Sequence, residues 1–385
     1  MIEIGSSRLE VRASGSLAEV PAEAWDALAP AHFPFADHAY LSALETSGSV
    51  GEGTGWKPIY WTCWLGRELV GALYAYLKRD SYGEYIFDWA WLRAYQQAGV
   101  PYFPKLVAAV PFTPATGPKI LVHPLADAAA VRARLIEAMR RAAGESRASS
   151  IHLLFLTPEE ASSFGGPDWL LRHSYQFHWR NRSYRDFGSF LGALKSRKRT
   201  QILAEREQVA RSGISIEVVE GDRVTGDHAR AMYRFYLSTI EKMGAIAYLT
   251  PAFFDTVFDR MRGAIVLMLA RSGGRPVAGA LNYRKGDALF GRYWGCTEEI
   301  RGLHFELCYY QGIEYAIARG LRLFEAGAQG EHKLARGFLP ALTYSAHWIH
   351  HPVFREAIAD YIGREKAAIA EAFEAYAAQS PFRAD

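Results

Sequence analysis

Gly66-Arg67-Glu68-Leu69-Val70-Gly71-Ala72-Leu73 returns later in the chain as Gly274-Arg275-Pro276-Val277-Ala278-Gly279-Ala280-Leu281, each residue 208 positions after its counterpart. The register continues without a gap, carrying Gly83 onto Gly291 and Tyr85 onto Tyr293. Self-similarity of this kind marks a repeated structural unit. In each copy an apolar run reaches a Gly-containing turn, returns as a second run and leads to an aromatic-rich third, the pattern of an antiparallel meander. The runs are Trp61–Leu65, Val70–Leu77 and Tyr85–Trp91 in the first copy, and Ile265–Ala270, Val277–Tyr283 and Leu289–Gly295 in the second. A helical period follows each meander, over Asp127–Ala143 and His304–Arg319, and precedes a short apolar run, Ile151–Leu156 or Arg322–Ala326. This order predicts an α/β (α+β) chain of two tandem domains, each a mixed, mostly antiparallel sheet flanked by helices. A basic helix, Ser196–Ser212, stops at Gly213 and feeds a strand over Ile214–Val219. The boundary is therefore expected near residue 185, giving domains 1–184 and 185–385. Alternating Ala and charge over Val353–Ala378 predicts a closing surface helix packed on one side.

Half of the 385 residues are hydrophobic, enough for two buried cores. The 44 basic and 41 acidic residues leave a net charge of +3, too balanced for a DNA-coating protein or a polybasic anchor. Cys63, Cys296 and Cys308 form no C-x-x-C pair, which fits a reducing cytoplasm. The opening MIEIGSSRLEVRASG lacks a basic region followed by an apolar one, and no apolar run approaches the ~20 residues of a spanning helix. The expectation is a soluble cytoplasmic protein. Its 21 Tyr, 21 Phe and 10 Trp leave room for a greasy cleft and for peripheral membrane contact.

Four stretches carry a resemblance. They are SYGEYIFDWAW at Ser81–Trp91, PYFPKLVAAVPFTPATGPK at Pro101–Lys119, HFELCYYQGIEYAI at His304–Ile317 and FEAGAQGEHKLARGFLP at Phe324–Pro340. Together they resemble the bacterial FemAB-like tandem acyltransferases of the GNAT superfamily, and in particular the predicted N-acyltransferase branch connected with peptidoglycan biosynthesis and recognition. The basic helix, Gly and strand of LKSRKRTQILAEREQVARSGISIEV, Leu194–Val218, are similar to the wider FemAB pattern. The resemblance implies transfer of an acyl group from an activated carrier to an amine, on a cell-envelope precursor or a related acceptor. The chain departs from the family twice. No sustained heptad arm appears, which weakens a tRNA donor, and the pyrophosphate loop R/Q-x-x-G-x-G/A is replaced by Glu299-Ile300-Arg301-Gly302-Leu303-His304 with its single Gly. Acyl-CoA is the expected co-substrate, with no permanently bound cofactor.

Acyl transfer from a thioester to an amine asks for a deprotonated amine, a polarised carbonyl and a proton for the leaving thiolate. In the acetyltransferase fold the donor lies where the fourth and fifth strands splay apart, its phosphates at the start of the crossover helix. Carried over, this assigns Tyr293, Trp294, Cys296, Arg301, Gly302 and His304 to the donor, with Lys333 beside them. Glu331 or His332 is the expected general base and Tyr309 the proton donor. The structural alternatives are a helix start favouring Glu331 and a core packing both Tyr309 and Tyr310. In the first copy Asp88 sits in an apolar strand where a lone carboxylate is costly, with Glu84 on the same face. Glu84, Asp88, Tyr102 and Lys105 are assigned to the acceptor, against a purely structural ion pair. Pro101–Lys119 either lines an entrance for a hydrocarbon chain or packs as a proline-rich loop.

Ser196–Arg199 either holds phosphate or is a solvated face. His347, His350 and His351 have no neighbouring carboxylate or Cys, so no metal is expected. Three functions follow. The first is N-acyl transfer from acyl-CoA to a hydrophobic or lipid amine such as a sphingoid base. The second is aminoacyl-tRNA-dependent modification of a peptidoglycan precursor, with tRNA as partner. The third is a non-catalytic ligand-binding tandem.

Overall fold

A computed structural model describes residues 9–327 and 330–383, and the side chain of Glu331 lies outside the described set. In chain order the strands are β1 (Leu9–Ser14), β2 (Trp56–Leu65), β3 (Glu68–Lys78), β4 (Lys105–Ala108), β5 (Ile120–Val122), β6 (Ser150–Leu156) and β7 (Leu170–Arg180). They continue with β8 (Ser215–Glu220), β9 (Ile265–Ser272), β10 (Arg275–Lys285), β11 (Ala288–Cys296), β12 (Leu323–Glu325) and β13 (Leu339–Ile349). Two compact units form. The first takes the chain up to Pro30, then Phe35–Ser174 and Thr343–Ala368; the second takes Ala31–Pro34, Tyr175–Leu342 and the chain from Ile369. The division is thus not a single cut near residue 185, because the chain returns to the first unit after the second is built.

The first unit's sheet runs β1-β2-β3-β4-β6-β13, with β5 paired to β3 as a side branch. Among its described strands, only the β4/β6 pair is parallel. The second unit repeats the plan as β8-β9-β10-β11-β12-β7, with β11/β12 its parallel pair. A parallel pair needs a crossover, and a helix supplies it each time. In the first unit this is Ala128–Glu145, opened by the Asp127 side chain accepting from the Ala130 amide. Its Val131, Leu135, Met139 and Ala143 recur at four-residue spacing and are buried against the sheet, each of the larger ones contributing roughly 1.5–3 kcal/mol. In the second unit the crossover winds as Leu303–Phe305, a π-turn over Glu306–Tyr310, and Gln311–Ala318. The sixth strand of each sheet arrives from the other half of the sequence. β13 lies antiparallel to β6 in the first unit, and β7 antiparallel to β12 in the second.

The repeated hairpins form as read: β2 pairs β3, and β9 pairs β10, across their Gly turns. The third strand of the first copy does not. Tyr85–Trp91 is an irregular segment leading into a helix, Trp89–Gln97, and β4 takes the place expected for it. Gly83 and Tyr85 both adopt positive φ, which breaks an extended chain, and a side chain at Gly83 would meet the Phe112 ring at 2.7 Å. Glu84 and Asp88 therefore do not share a strand face; a turn carries both inward.

In the second unit the helix Gly226–Met243 lies directly on β11, so close that a Cβ at Gly295 would stand 1.7 Å from the Phe235 carbonyl oxygen. Gly295→Ala must push that helix off the strand. We expect it to cost about 1–3 kcal/mol, measured by urea unfolding, with β11 the first strand to lose amide protection in hydrogen exchange.

Candidate active site

β12 ends at Glu325 while β11 runs on to Cys296, so the parallel pairing of Ala288, Leu289 and Phe290 stops and the two strands part. Beyond Phe290, β11 keeps only β10 beside it, and a cleft of 540 Å³ opens at its free edge. Its walls include Asn282, Arg292, Tyr293, Trp294, His304, Cys308, Tyr309 and His332. It continues past Met243, Trp294 and His304 into a wider channel of 1140 Å³ bordered by Cys296, Arg301 and Gly302. The residues expected to meet the donor thus gather along one path. Lys333 is the exception. It is 1 % exposed and its ammonium donates to the Gly327 carbonyl at 2.6 Å, so it holds the strand end instead of facing the cleft. Burial pulls that ammonium down to about 7.

The π-turn sends consecutive tyrosines to different partners. The Tyr309 hydroxyl lies 2.8 Å from Nε2 of His332, and the Tyr310 hydroxyl donates to Glu205. Burial raises the Tyr309 pKa, so it stays protonated. His332 moves the other way, lowered by burial and then by Arg336 and Lys333, and is neutral at pH 7. Its backbone is held by Arg336, which donates to the His332 carbonyl at 2.8 Å and pairs with Glu205 at 2.7 Å. Glu205 belongs to the basic helix, Ser196–Ala210, whose Arg206 pairs with Glu306 of the π-turn. That helix is a brace for the site as well as a basic surface.

At the channel end, Glu298 and Glu299 pair with Arg275 and Lys242, leaving Arg301 exposed beside Gly302, which enters the crossover with φ 84°. Burial pushes the Cys296 and Cys308 thiols up, so neither is set up as a thiolate. Among the described residues no group of three or more His, Cys, Asp or Glu is placed to hold a metal ion. His347 is buried with its Nδ1 2.7 Å from Nδ1 of His152, and each ring reaches a serine, Ser345 or Ser150, on its other side. Asn282 and Arg292 were not singled out from sequence. Their signal was a polar residue following an apolar run, and the two meet at a β-bulge in β11, where Arg292 is the extra residue opposite Leu281 and Asn282.

The four acceptor residues of the first unit are closed off. Lys105 is fully buried, with its Nζ on Glu84 and Ser81 at 2.9 Å each and on Asp88, which also accepts from the Tyr102 hydroxyl at 2.6 Å. Burial pushes Glu84 up to about 7 against the pull of Lys105. Burial also opposes the charge on Asp88, yet Lys105, Tyr102 and Ser81 keep its pKa below the usual range. These contacts build structure and leave no side chain facing a substrate. Likewise Ala109–Ala115 is buried, and the Lys119 ammonium bonds the carbonyls of Gly117 and Phe155, so the proline-rich segment is packing and not an entrance.

The chain belongs to the FemAB-like family, described as peptidoglycan biosynthesis/recognition, whose model matches residues 16–384. Membership makes it a transferase of the acyl or aminoacyl class acting in cell-envelope biosynthesis. Among solved structures it is similar to FemX, at 11% identity over 91% of this chain and 100% of that one, with a TM-score of 0.53. It is also similar to L-PGS from Bacillus licheniformis, at 10% identity over 84% and 95%, with a TM-score of 0.51. At such identities the likeness concerns the fold. No curated protein sequence matches the chain. Among the described residues, no helix is long and apolar enough to cross a membrane.

Removing the buried cation tests the structural role of the first-unit cluster. Lys105→Met leaves two carboxylates without their partner and should cost about 3–5 kcal/mol in denaturant unfolding, with part of that recovered when Glu84→Gln and Asp88→Asn are added.

Proposed function

We propose that the second unit transfers an acyl group from an acyl thioester, with coenzyme A as carrier, to the primary amine of a hydrophobic or lipid acceptor. The observation that carries this reading is the Tyr309–His332 hydrogen bond at the mouth of the splay. With its proton on Nε2, His332 donates to the tyrosine oxygen and keeps Nδ1 free to accept. The amine nitrogen attacks the carbonyl carbon and gives up a proton to Nδ1. As the carbon–sulfur bond breaks, Tyr309 passes its hydroxyl proton to the thiolate and regains one from Nε2. Tyr309 ends as it began, and His332 ends neutral with its proton on Nδ1, so exchange with solvent returns it to the Nε2 tautomer before the next turnover. Tyr293, Trp294 and Leu281 give the cleft apolar walls for the acyl group, and the open edge of β11 offers backbone groups to the carbonyl oxygen. The channel toward Arg301 takes the carrier.

The basic run Ser196–Arg199, exposed at Ser196 and Arg197 and half-buried at Lys198 and Arg199, favours a second reading, in which the carrier is an aminoacyl-tRNA. The two separate in one assay. Free thiol released from acetyl-, octanoyl- and palmitoyl-CoA is followed with long-chain amines as acceptors, and charged tRNA is offered in parallel. Turnover with an acyl-CoA supports the proposal; turnover with tRNA alone overturns it.

Tyr309→Phe and His332→Ala should each lower kcat about 100-fold with melting temperature unchanged. Because His332 must be neutral to accept a proton, kcat/KM should fall as pH drops through its pKa, below 6.5, and this acid limb should be absent in His332→Ala.

A further inference from the structure

Between Arg79 and Arg93 the first unit sorts its side chains by type. Ser81, Glu84, Ile86 and Asp88 are buried, whereas Tyr82, Tyr85 and Phe87 are 50%, 36% and 51% exposed. Nine large hydrophobic residues are exposed among the described ones, and these three fall within six positions. Isolated exposed apolar residues are ordinary, but a cluster marks a contact surface. The segment is also held unusually firmly from beneath. Lys78, itself buried, donates to the Tyr82 carbonyl at 3.0 Å and pairs with Asp80. Lys105 gathers Ser81, Glu84 and Asp88. Arg172 donates to the Phe87 carbonyl at 2.9 Å while pairing with Glu365. Three cations therefore fix the backbone and draw every acidic group of the segment into an ion pair.

What remains outside is aromatic and positive. Arg79 and Arg93 are exposed. Arg93 lies one helical turn after Trp89, on the same face, and the Trp89 ring packs against Tyr82 with centroids 5.6 Å apart. Tyrosine and phenylalanine rings beside arginine, with the one partly exposed acid, Asp80, paired to Lys78, match the chemistry of a bilayer's headgroup layer, where amphipathic rings settle and cations meet anionic lipid.

We infer that the segment from Arg79 to Arg93 is a docking surface for anionic phospholipid bilayers, holding the enzyme at the membrane. Insertion of Tyr82 and Phe87 supplies apolar contact, and Arg79 and Arg93 supply attraction that salt screens. The inference is independent of which donor the second unit uses.

Co-sedimentation with vesicles tests it on the full chain. Vesicles containing phosphatidylglycerol should bring the protein down, vesicles of phosphatidylcholine alone should bind several-fold less, and raised salt should weaken the first. Tyr82→Ser with Phe87→Ser, and separately Arg79→Glu with Arg93→Glu, should each lower the partition coefficient at least tenfold while leaving the melting temperature unchanged. If the wild type stays in the supernatant with phosphatidylglycerol vesicles, as it would were this surface meant for a soluble partner, the inference is wrong. It is equally wrong if the aromatic double variant sediments like the wild type. Should a variant fold poorly, the lipid and salt dependence of the wild type still decides the matter.

Discussion

A strand that stops early shapes the cleft of the second unit. Backbone amides and carbonyls inside a fold must be paired, and for three residue pairs β11 and β12 do this for each other. Once β12 ends, β11 presents an edge that its own sheet cannot satisfy on that side. The surrounding parts respond to this gap. β11 itself bulges at Arg292, Lys333 holds the departing chain at Gly327, and the crossover helix widens by a π-turn so that Tyr309 reaches across to His332. The site is preorganised because these groups are tied to buried partners, which is what places donors and acceptors without cost at the moment of reaction.

The two halves resolve the same topology differently. In the first unit the region after β4 is filled by its own buried segment, Ala109–Ala115, and its polar groups close on one another around Lys105 and Lys119. In the second, the corresponding space stays open and basic groups border it. With one copy filled, the doubled scaffold keeps its open splayed-strand cleft in the second unit. The filled copy keeps a large network of buried charge, whose benefit is fixed geometry more than stability.

Much of this was legible in the sequence where local rules decide. The hairpins at Gly66 and Gly274 and the capped, periodic helix after Asp127 read directly, since turn chemistry and apolar spacing are properties of short stretches. The assignment of Tyr293, Trp294 and His304 to one cleft followed from topology plus the resemblance. Tyr85–Trp91 was misread because its alternation of apolar and polar residues imitates a strand; the deciding fact, that Glu84 and Asp88 both turn to Lys105, is a contact over some twenty residues. Arg292 escaped notice as a single cation among aromatics, and the π-turn has no sequence period that separates it from an α-turn. The exchange of final strands was equally hidden, because which edge β7 or β13 completes depends on the whole topology.

That exchange bears on how the chain is made. The first sheet lacks its sixth strand until β13, Leu339–Ile349, has been synthesised, so β6 waits on the ribosome with one edge uncovered while nearly two hundred further residues emerge. Exposed edges invite wrong pairing. A fragment ending after the first repeat carries a sheet without its sixth strand, because β13 comes from the other half of the chain.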